Sequence, residues 1–196
     1  MKESVPPRVT LEEYLARDTS TLERFEYRGG GVVALAVPTR DHGRIAGNIS
    51  SHLGPLARAR GCDYFAGDAK VITPGGDRLI PDFVITCDAR DLSADPQGEA
   101  QLRHPWLIVE ILSPTTAADD MTYKLDAYHS IAEVTHYVVV DSRRCSMRVF
   151  EHATDGSFSV RSGLDVLILP RLAAEGLPLD RIYEATNVRR IADLDR

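Results

Sequence analysis

Short apolar runs bounded by glycine, proline or charged residues recur along the chain and predict a protein rich in β-strands. Two of these runs, residues 24–27 and 32–37, flank glycines 29–31 and predict a hairpin. The other strand candidates are residues 64–66, 70–73, 79–86, 106–112, 135–141, 147–152 and 157–161.

Three segments predict helices. Thr10 and Glu13 have the spacing of a capping box, with Val9 and Tyr14 placed as a hydrophobic staple, so a short helix should begin at Leu11. Residues 41–60 contain several glycines but keep an inward stripe at helical spacing, formed by His42, Ile45, Ile49, Leu53 and Leu56. Residues 119–132 carry a similar stripe, formed by Met121, Leu125, Tyr128 and Ile131 or Ala132.

This order of elements favours an α/β fold with a mixed central β-sheet flanked by helices over a regular βαβ alternation. No repeat, low-complexity stretch or linker divides the chain, so residues 1–196 are expected to form one domain. Residues 74–77 predict a hairpin turn and residues 88–101 a surface loop. The chain from Pro170 onward predicts little beyond a peripheral helix.

Composition narrows the class of protein. The longest apolar runs are far shorter than the roughly 20 residues that a membrane-spanning helix needs. The first residues lack the apolar core of a signal peptide, so we expect a cytoplasmic protein with no membrane partner. The three cysteines, Cys62, Cys87 and Cys145, are odd in number and widely spaced, which favours reduced structural thiols.

The net charge is −6, from 23 basic and 29 acidic side chains. This charge opposes strong non-specific attraction to nucleic acid, because such attraction depends on basic residues that neutralise phosphates. An enzyme acting on nucleic acid would therefore need a local basic surface, for which the sequence offers few candidates.

Two acidic residues lie within apolar strand candidates. Alternation along residues 79–86 puts Asp82 on the same face as Ile80 and Val84. Residues 106–112 are apolar on both faces, which is typical of a central buried strand, yet they include Glu110. Because burying an ionised carboxylate is expensive, Glu110 must meet a cation, take up a proton or border a solvated cleft. A salt bridge or a strand-end cap would explain one such acid, whereas two on adjacent strands favour a shared site.

Lys124 lies on or beside the inward face of the third predicted helix. It either extends past the edge of the core or reaches a carboxylate cluster. Asp82 and Glu110, with the carbonyl of Ile111 as a third ligand, are the oxygen donors that Mg²⁺ prefers. Lys124 would then orient or deprotonate an attacking water and offset charge that develops on a phosphate. The residue types form a set suited to cleaving phosphodiester bonds.

These residues also resemble the signatures of a known family. The family's PD, vEvlSpst and D...K...Y blocks match, in order, Pro81-Asp82, then residues 109–116, then Asp120 with Lys124 and Tyr128. The sequence is thus similar to the Uma family of restriction endonucleases, over a motif core of about residues 80–141. Upstream, the segment containing Glu26 and the position of His42 also resemble the family.

The resemblance implies a restriction-endonuclease-like fold of the PD-(D/E)XK superfamily, with Asp82 and Glu110 as metal-binding acids. In the parent motif the lysine follows the acid by two residues, but Leu112 occupies that position here. The resemblance therefore implies that Lys124 replaces it and that Glu26 is an accessory acid. A histidine at a position such as His42 is more often a satisfied buried side chain than a ligand, and its role stays open.

Two functional hypotheses follow. The first is a DNA endonuclease that depends on Mg²⁺ or Mn²⁺ and hydrolyses phosphodiester bonds with an activated water. Duplex cleavage would require two strands to be cut, which makes a homodimer plausible. The second is a catalytically inactive nuclease-fold module that binds nucleic acid or protein. The first requires that Glu26, Asp82, Glu110 and Lys124 converge in one cleft.

Overall fold

The computed structural model describes residues 8–20, 24–93, 98–113, 121–153 and 157–189. Its helices are α1 (Leu11–Ser20), α2 (Arg40–Ala59), α3 (Ala89–Leu92), α4 (Tyr123–His129) and α5 (Leu179–Ile182). Its strands are β1 (Phe25–Arg28), β2 (Gly31–Ala34), β3 (Asp63–Phe65), β4 (Lys70–Ile72), β5 (Arg78–Leu79), β6 (Phe83–Thr86), β7 (Gln101–Leu102), β8 (Pro105–Leu112), β9 (His136–Asp141), β10 (Met147–His152), β11 (Phe158–Ser162), β12 (Val166–Leu169) and β13 (Ala173–Pro178).

The strands form a mixed six-stranded sheet, a mixed five-stranded sheet and a separate hairpin. The six-stranded sheet has the order β11-β10-β9-β8-β6-β3, in which only β8 and β9 pair in parallel. The five-stranded sheet has the order β2-β1-β5-β4-β7, and β12 pairs with β13. The prediction of a mixed sheet flanked by helices is confirmed.

Strand β8 lies at the centre of the six-stranded sheet, between β6 and β9. Its apolar side chains pack into two core clusters, one on each face of the sheet. Val109 and Ile111 join the cluster that includes α2 and the β12–β13 hairpin. Ile108 joins the cluster that includes Tyr128 of α4 and Leu79 of the five-stranded sheet. Because side chains alternate along a strand, Glu110 shares the face of Ile108 and points toward α4.

Local sequence signals explain where the first two helices begin. At α1, Thr10 N donates to Glu13 Oε2 at 2.7 Å and Glu13 N donates to Thr10 Oγ1 at 3.2 Å, so the predicted capping box forms. Thr39 caps α2 by accepting a hydrogen bond from His42 N. Position 54 of α2 requires glycine, because a side chain there would overlap the Tyr64 ring.

The predicted strand over residues 79–86 is wrong in one respect that matters for the site. It divides into β5, which pairs with β1 and β4, and β6, which pairs with β3 and β8. Pro81 lacks a backbone N–H and cannot donate to a strand ladder, which suits a connection between two sheets. Asp82 therefore precedes β6 and does not alternate with Ile80 and Val84 on one strand face.

Two other expectations need correction. The region after Pro170 contains β13 and the short helix α5, and β12 with β13 forms a hairpin that the sequence did not predict. Within residues 88–101, α3 forms and Asp91 is buried, so the described part of this segment is more ordered than a surface loop. For the third predicted helix, residues 114–120 lie outside the described residues, and α4 covers Tyr123–His129.

The expectation of reduced thiols is wrong for two of the three cysteines. Cys62 and Cys87 form a disulfide with a sequence separation of 25, whereas Cys145 belongs to no disulfide among the described residues. The pairing follows from the β3–β6 register, in which Asp63 lies opposite Thr86 and places the two cysteines at the same end of the strand pair. Sequence spacing alone gives no indication of this register.

Reduction of the Cys62–Cys87 disulfide is expected to lower the free energy of unfolding by about 3 kcal/mol, because it releases the constraint on a loop of this length. Denaturant unfolding of oxidised and reduced protein measures the difference. The Cys145→Ser variant is the control and should show the same difference. Equal stability of the oxidised and reduced forms would contradict the prediction.

Candidate active site

Four sequence-predicted residues meet around one cleft of about 370 Å³ beside the centre of the six-stranded sheet. Asp82, Glu110 and Lys124 line the cleft, and Glu26 lies directly behind Lys124. The complete lining is Arg24, Leu35, Ala36, Val37, Pro38, Thr39, His42, Gly67, Ile80, Asp82, Glu110, Ile111, Ser113 and Lys124. Three of the four residues therefore share the cleft, and the fourth, Glu26, reaches it only through its contact with Lys124.

Glu110 is buried and meets a cation, as its position on a central strand requires. Its Oε1 accepts hydrogen bonds from Lys124 Nζ and from the Tyr128 hydroxyl, each at 2.8 Å. Lys124 and Tyr128 are four residues apart on α4, so both reach the same carboxylate from one helix face. Burial, with the charge of Glu110 as the next cause, raises the pKa of Tyr128 well above its ordinary value. Tyr128 therefore stays protonated and acts as a donor.

Glu26 is fully buried and faces the same lysine from the five-stranded sheet. Its Oε1 accepts a hydrogen bond from Ile80 N at 2.8 Å and lies 3.2 Å from Lys124 Nζ. Its Oε2 accepts a hydrogen bond from Arg28 Nε at 2.7 Å. Lys124 thus bridges two carboxylates that come from different sheets, and it does not extend past the edge of the core.

Asp82 is the most open of the acids, with 23% of its side chain exposed. Its Oδ2 accepts a hydrogen bond from Ile111 N at 2.7 Å, so the carboxylate is fixed to β8 next to Glu110. His42 Nε2, from the first turn of α2, lies 3.3 Å from Asp82 Oδ1. His42 is therefore part of the cleft wall rather than a histidine enclosed in the core.

The charges of this group favour a bound cation. The group contains three carboxylates, those of Glu26, Asp82 and Glu110, and two cations, of which Lys124 contacts Glu26 and Glu110 while Arg28 contacts Glu26. Asp82 and Glu110 both border the open cleft, and oxygen ligands of this kind suit Mg²⁺ or Mn²⁺. Among the described residues no group of three His, Cys, Asp or Glu side chains is placed to hold a metal. A metal here would rely on two carboxylates, with a backbone carbonyl and water or phosphate completing its ligands.

Sequence reasoning left Tyr128 and Arg28 out of the site. Helical spacing assigns Tyr128 to the apolar stripe of its helix, and its separation of four residues from Lys124 also puts it on the face of the site. Arg28 lies two residues after Glu26 on β1, and this alternation would have predicted that the two side chains share a face. Neither position alone distinguishes a ligand from a packing residue.

The chain is similar to a family model, to two cyanobacterial proteins and to a solved structure. A family model described as "Putative restriction endonuclease" (Uma2) matches residues 11–180. An uncharacterized protein of Synechocystis sp. is 28% identical over 177 residues, which cover 90% of this chain and 87% of that protein. A second protein of the same organism is 25% identical over 134 residues, covering 68% and 75% respectively.

The structure is also similar to a crystal structure described as a "putative nuclease" from Anabaena variabilis. The TM-score is 0.69 at 20% sequence identity, and the match covers 89% of this chain and 97% of the other. This similarity supports the fold assignment. Among the described residues, no helix is both long and apolar enough to cross a membrane.

Proposed function

The chain belongs to the Uma2 family, whose model matches most of its length, and on that basis we propose that it is a metal-dependent DNA endonuclease. The proposed reaction is hydrolysis of a phosphodiester bond by an activated water. The observation that carries the proposal is the position of Lys124, which bridges Glu26 and Glu110 beside Asp82 in an open cleft.

Asp82 and Glu110 would hold the metal, together with the carbonyl oxygen of Ile111. A bound Mg²⁺ or Mn²⁺ supplies Lewis-acid stabilisation of phosphate charge and lowers the pKa of a coordinated water. The hydrogen bond from Ile111 N fixes one oxygen of Asp82, so that carboxylate is oriented before any ligand arrives. Tyr128 and Lys124 donate hydrogen bonds to Oε1 of Glu110 and so orient that carboxylate as well.

Lys124 would orient the attacking water and offset negative charge on the phosphate. Its Nζ donates a hydrogen bond to Glu110 Oε1 and lies 3.2 Å from Glu26 Oε1, so the amino group is already engaged as a donor between two carboxylates. We therefore assign Lys124 to orientation and charge stabilisation rather than to proton abstraction.

A nuclease-fold module that binds without cleaving is the second candidate. The net charge of −6 favours it, because duplex DNA would find few cations to neutralise its phosphates. Against it stands the retention of Glu26, Glu110 and Lys124 as a buried charged group, which is expensive to keep without a use.

Incubation of the wild-type protein with supercoiled plasmid and with single-stranded DNA tests the proposal. We expect cleavage in Mg²⁺ or Mn²⁺ and none in the presence of a chelator. Binding to DNA without cleavage, across both metals and both substrates, would overturn the nuclease proposal and favour the binding module.

A further inference from the structure

Arg24 lines the cleft without an ion-pair or hydrogen-bond partner for its side chain among the residues that the structure describes. It lies immediately before β1, the strand that carries Glu26. The other cations of the group are already engaged, since Lys124 bridges two acids and Arg28 pairs with Glu26. Arg24 is exposed, and its guanidinium lies beside Gly67, which also borders the cleft. It is a cation that borders the cleft, and its donors have no partner within the described part of the chain.

Four consecutive apolar residues line the same cleft: Leu35, Ala36, Val37 and Pro38. This apolar lip follows β2, and Leu35 N donates to the carbonyl of Arg24 at 3.0 Å, so the lip begins next to the arginine. Val37 is 93% exposed. A single exposed valine needs no explanation, but a run of apolar residues beside an exposed arginine forms a surface for an amphipathic ligand.

Helix α2 begins where the lip ends, with Thr39 as its cap and also in the cleft wall. The amino end of a helix carries a partial positive charge, which adds to that of Arg24 and favours an anion. Asp41 in the first turn is held by a hydrogen bond from Asn187 N to its carboxylate.

We propose that Arg24 and the apolar lip hold one unpaired nucleotide of the substrate, with the guanidinium on a backbone phosphate and the lip against the base. The preferred substrate is then single-stranded or locally opened DNA rather than intact duplex. This inference rests on the proposed function and specifies its substrate class.

Three physical considerations support a single unpaired nucleotide. A cleft of about 370 Å³ is at the small end of ligand pockets, which suits one nucleotide better than a duplex. The face of a base in duplex DNA is covered by its neighbours, and exposing it costs a few kcal/mol. A protein of net charge −6, with Arg24 as the arginine in the described lining of its cleft, also makes few of the phosphate contacts that bind duplex.

The test is fluorescence anisotropy of labelled oligothymidylate and of a duplex of equal length, in chelator to prevent cleavage, across a series of salt concentrations. The single strand should bind about tenfold more tightly than the duplex, because the duplex must first be opened. Arg24→Ala should weaken single-strand binding about tenfold and reduce the slope of log K against log salt by about 0.7, the value for one phosphate contact.

Two further variants separate charge from apolar contact. Arg24→Lys should keep the salt slope, because it keeps the charge. Val37→Ser should weaken binding about threefold with the slope unchanged, since it removes only apolar contact. Arg148, an exposed arginine of β10 outside the cleft, is the control, and Arg148→Ala should bind as the wild type does.

Three results would overturn the inference. The wild type could bind single strand and duplex with equal affinity, or bind neither. Alternatively, Arg24→Ala could leave both the affinity for single strand and the salt slope unchanged. If the wild type cleaves DNA but Arg24→Ala binds normally, only this inference fails. If the wild type shows the expected Arg24-dependent binding but never cleaves, the nuclease proposal fails while the nucleotide site stands.

Discussion

Replacing Lys124 by methionine is expected to abolish cleavage and to lower the free energy of unfolding by about 3–5 kcal/mol. Methionine fills a similar volume but leaves Glu26 and Glu110, two buried carboxylates, without the cation that bridges them. Glu26 keeps Arg28 as a partner, whereas Glu110 keeps the Tyr128 hydroxyl. Denaturant unfolding monitored by circular dichroism gives the stability, and cleavage of DNA in Mg²⁺ gives the activity.

A double variant shows whether the uncompensated charge is the cause. Lys124→Met combined with Glu110→Gln removes one of the two carboxylates, so it should be more stable than Lys124→Met alone while remaining inactive. If Lys124→Met unfolds at the same denaturant concentration as the wild type, the lysine does not balance buried charge.

Replacing Glu110 by glutamine is expected to lower kcat by about 10²–10³-fold, the range for removing one group that stabilises the transition state electrostatically. The amide keeps the shape of the side chain and an oxygen that can accept hydrogen bonds from Tyr128 and Lys124. It removes the negative charge that would bind the metal. The loss of stability should therefore be smaller than for Lys124→Met.

Initial rates across a range of Mg²⁺ concentrations, together with thermal unfolding of the same preparation, measure both effects. Tyr123→Phe is a suitable control, because Tyr123 lies on the same helix but is exposed and donates to Asp77 instead. A Glu110→Gln variant that cleaves at the rate of the control would exclude Glu110 as a metal ligand.

The parts of the fold that depend on local pattern could be predicted from the sequence. The capping box at Thr10 and Glu13 predicts the start of α1. The segment around Glu110 is apolar on both faces, and this pattern predicts the central strand. The cost of burying a carboxylate then required a partner for Glu110, and Lys124 provides it.

The parts that depend on long-range pairing could not be predicted. The disulfide between Cys62 and Cys87 depends on the register between β3 and β6, which no local signal specifies. The β12–β13 hairpin was missed for a related reason, since its strands are short and pair with a register shift at Leu167 and Leu169.

The position of Asp82 shows how a local rule can fail at a site. Alternation along residues 79–86 assumed one continuous strand, but the chain leaves one sheet at Leu79 and enters another at Phe83. Asp82 consequently turns into the cleft and accepts its hydrogen bond from Ile111 N. The chemistry of Asp82 makes it a candidate from the sequence alone, whereas the direction of its side chain depends on the arrangement of the two sheets.

The most direct test compares wild-type protein with Asp82→Ala for cleavage of single-stranded DNA in Mg²⁺ and in Mn²⁺, with a chelator control. If Asp82 and Glu110 form a hydrolytic metal centre, the wild type cleaves only with metal. Asp82→Ala should then be at least about hundredfold slower. Because the substitution also leaves the buried Ile111 N without its acceptor, the free energy of unfolding should fall by about 1–3 kcal/mol. Cleavage by Asp82→Ala at the wild-type rate, or no cleavage by the wild type in either metal, would contradict the assignment.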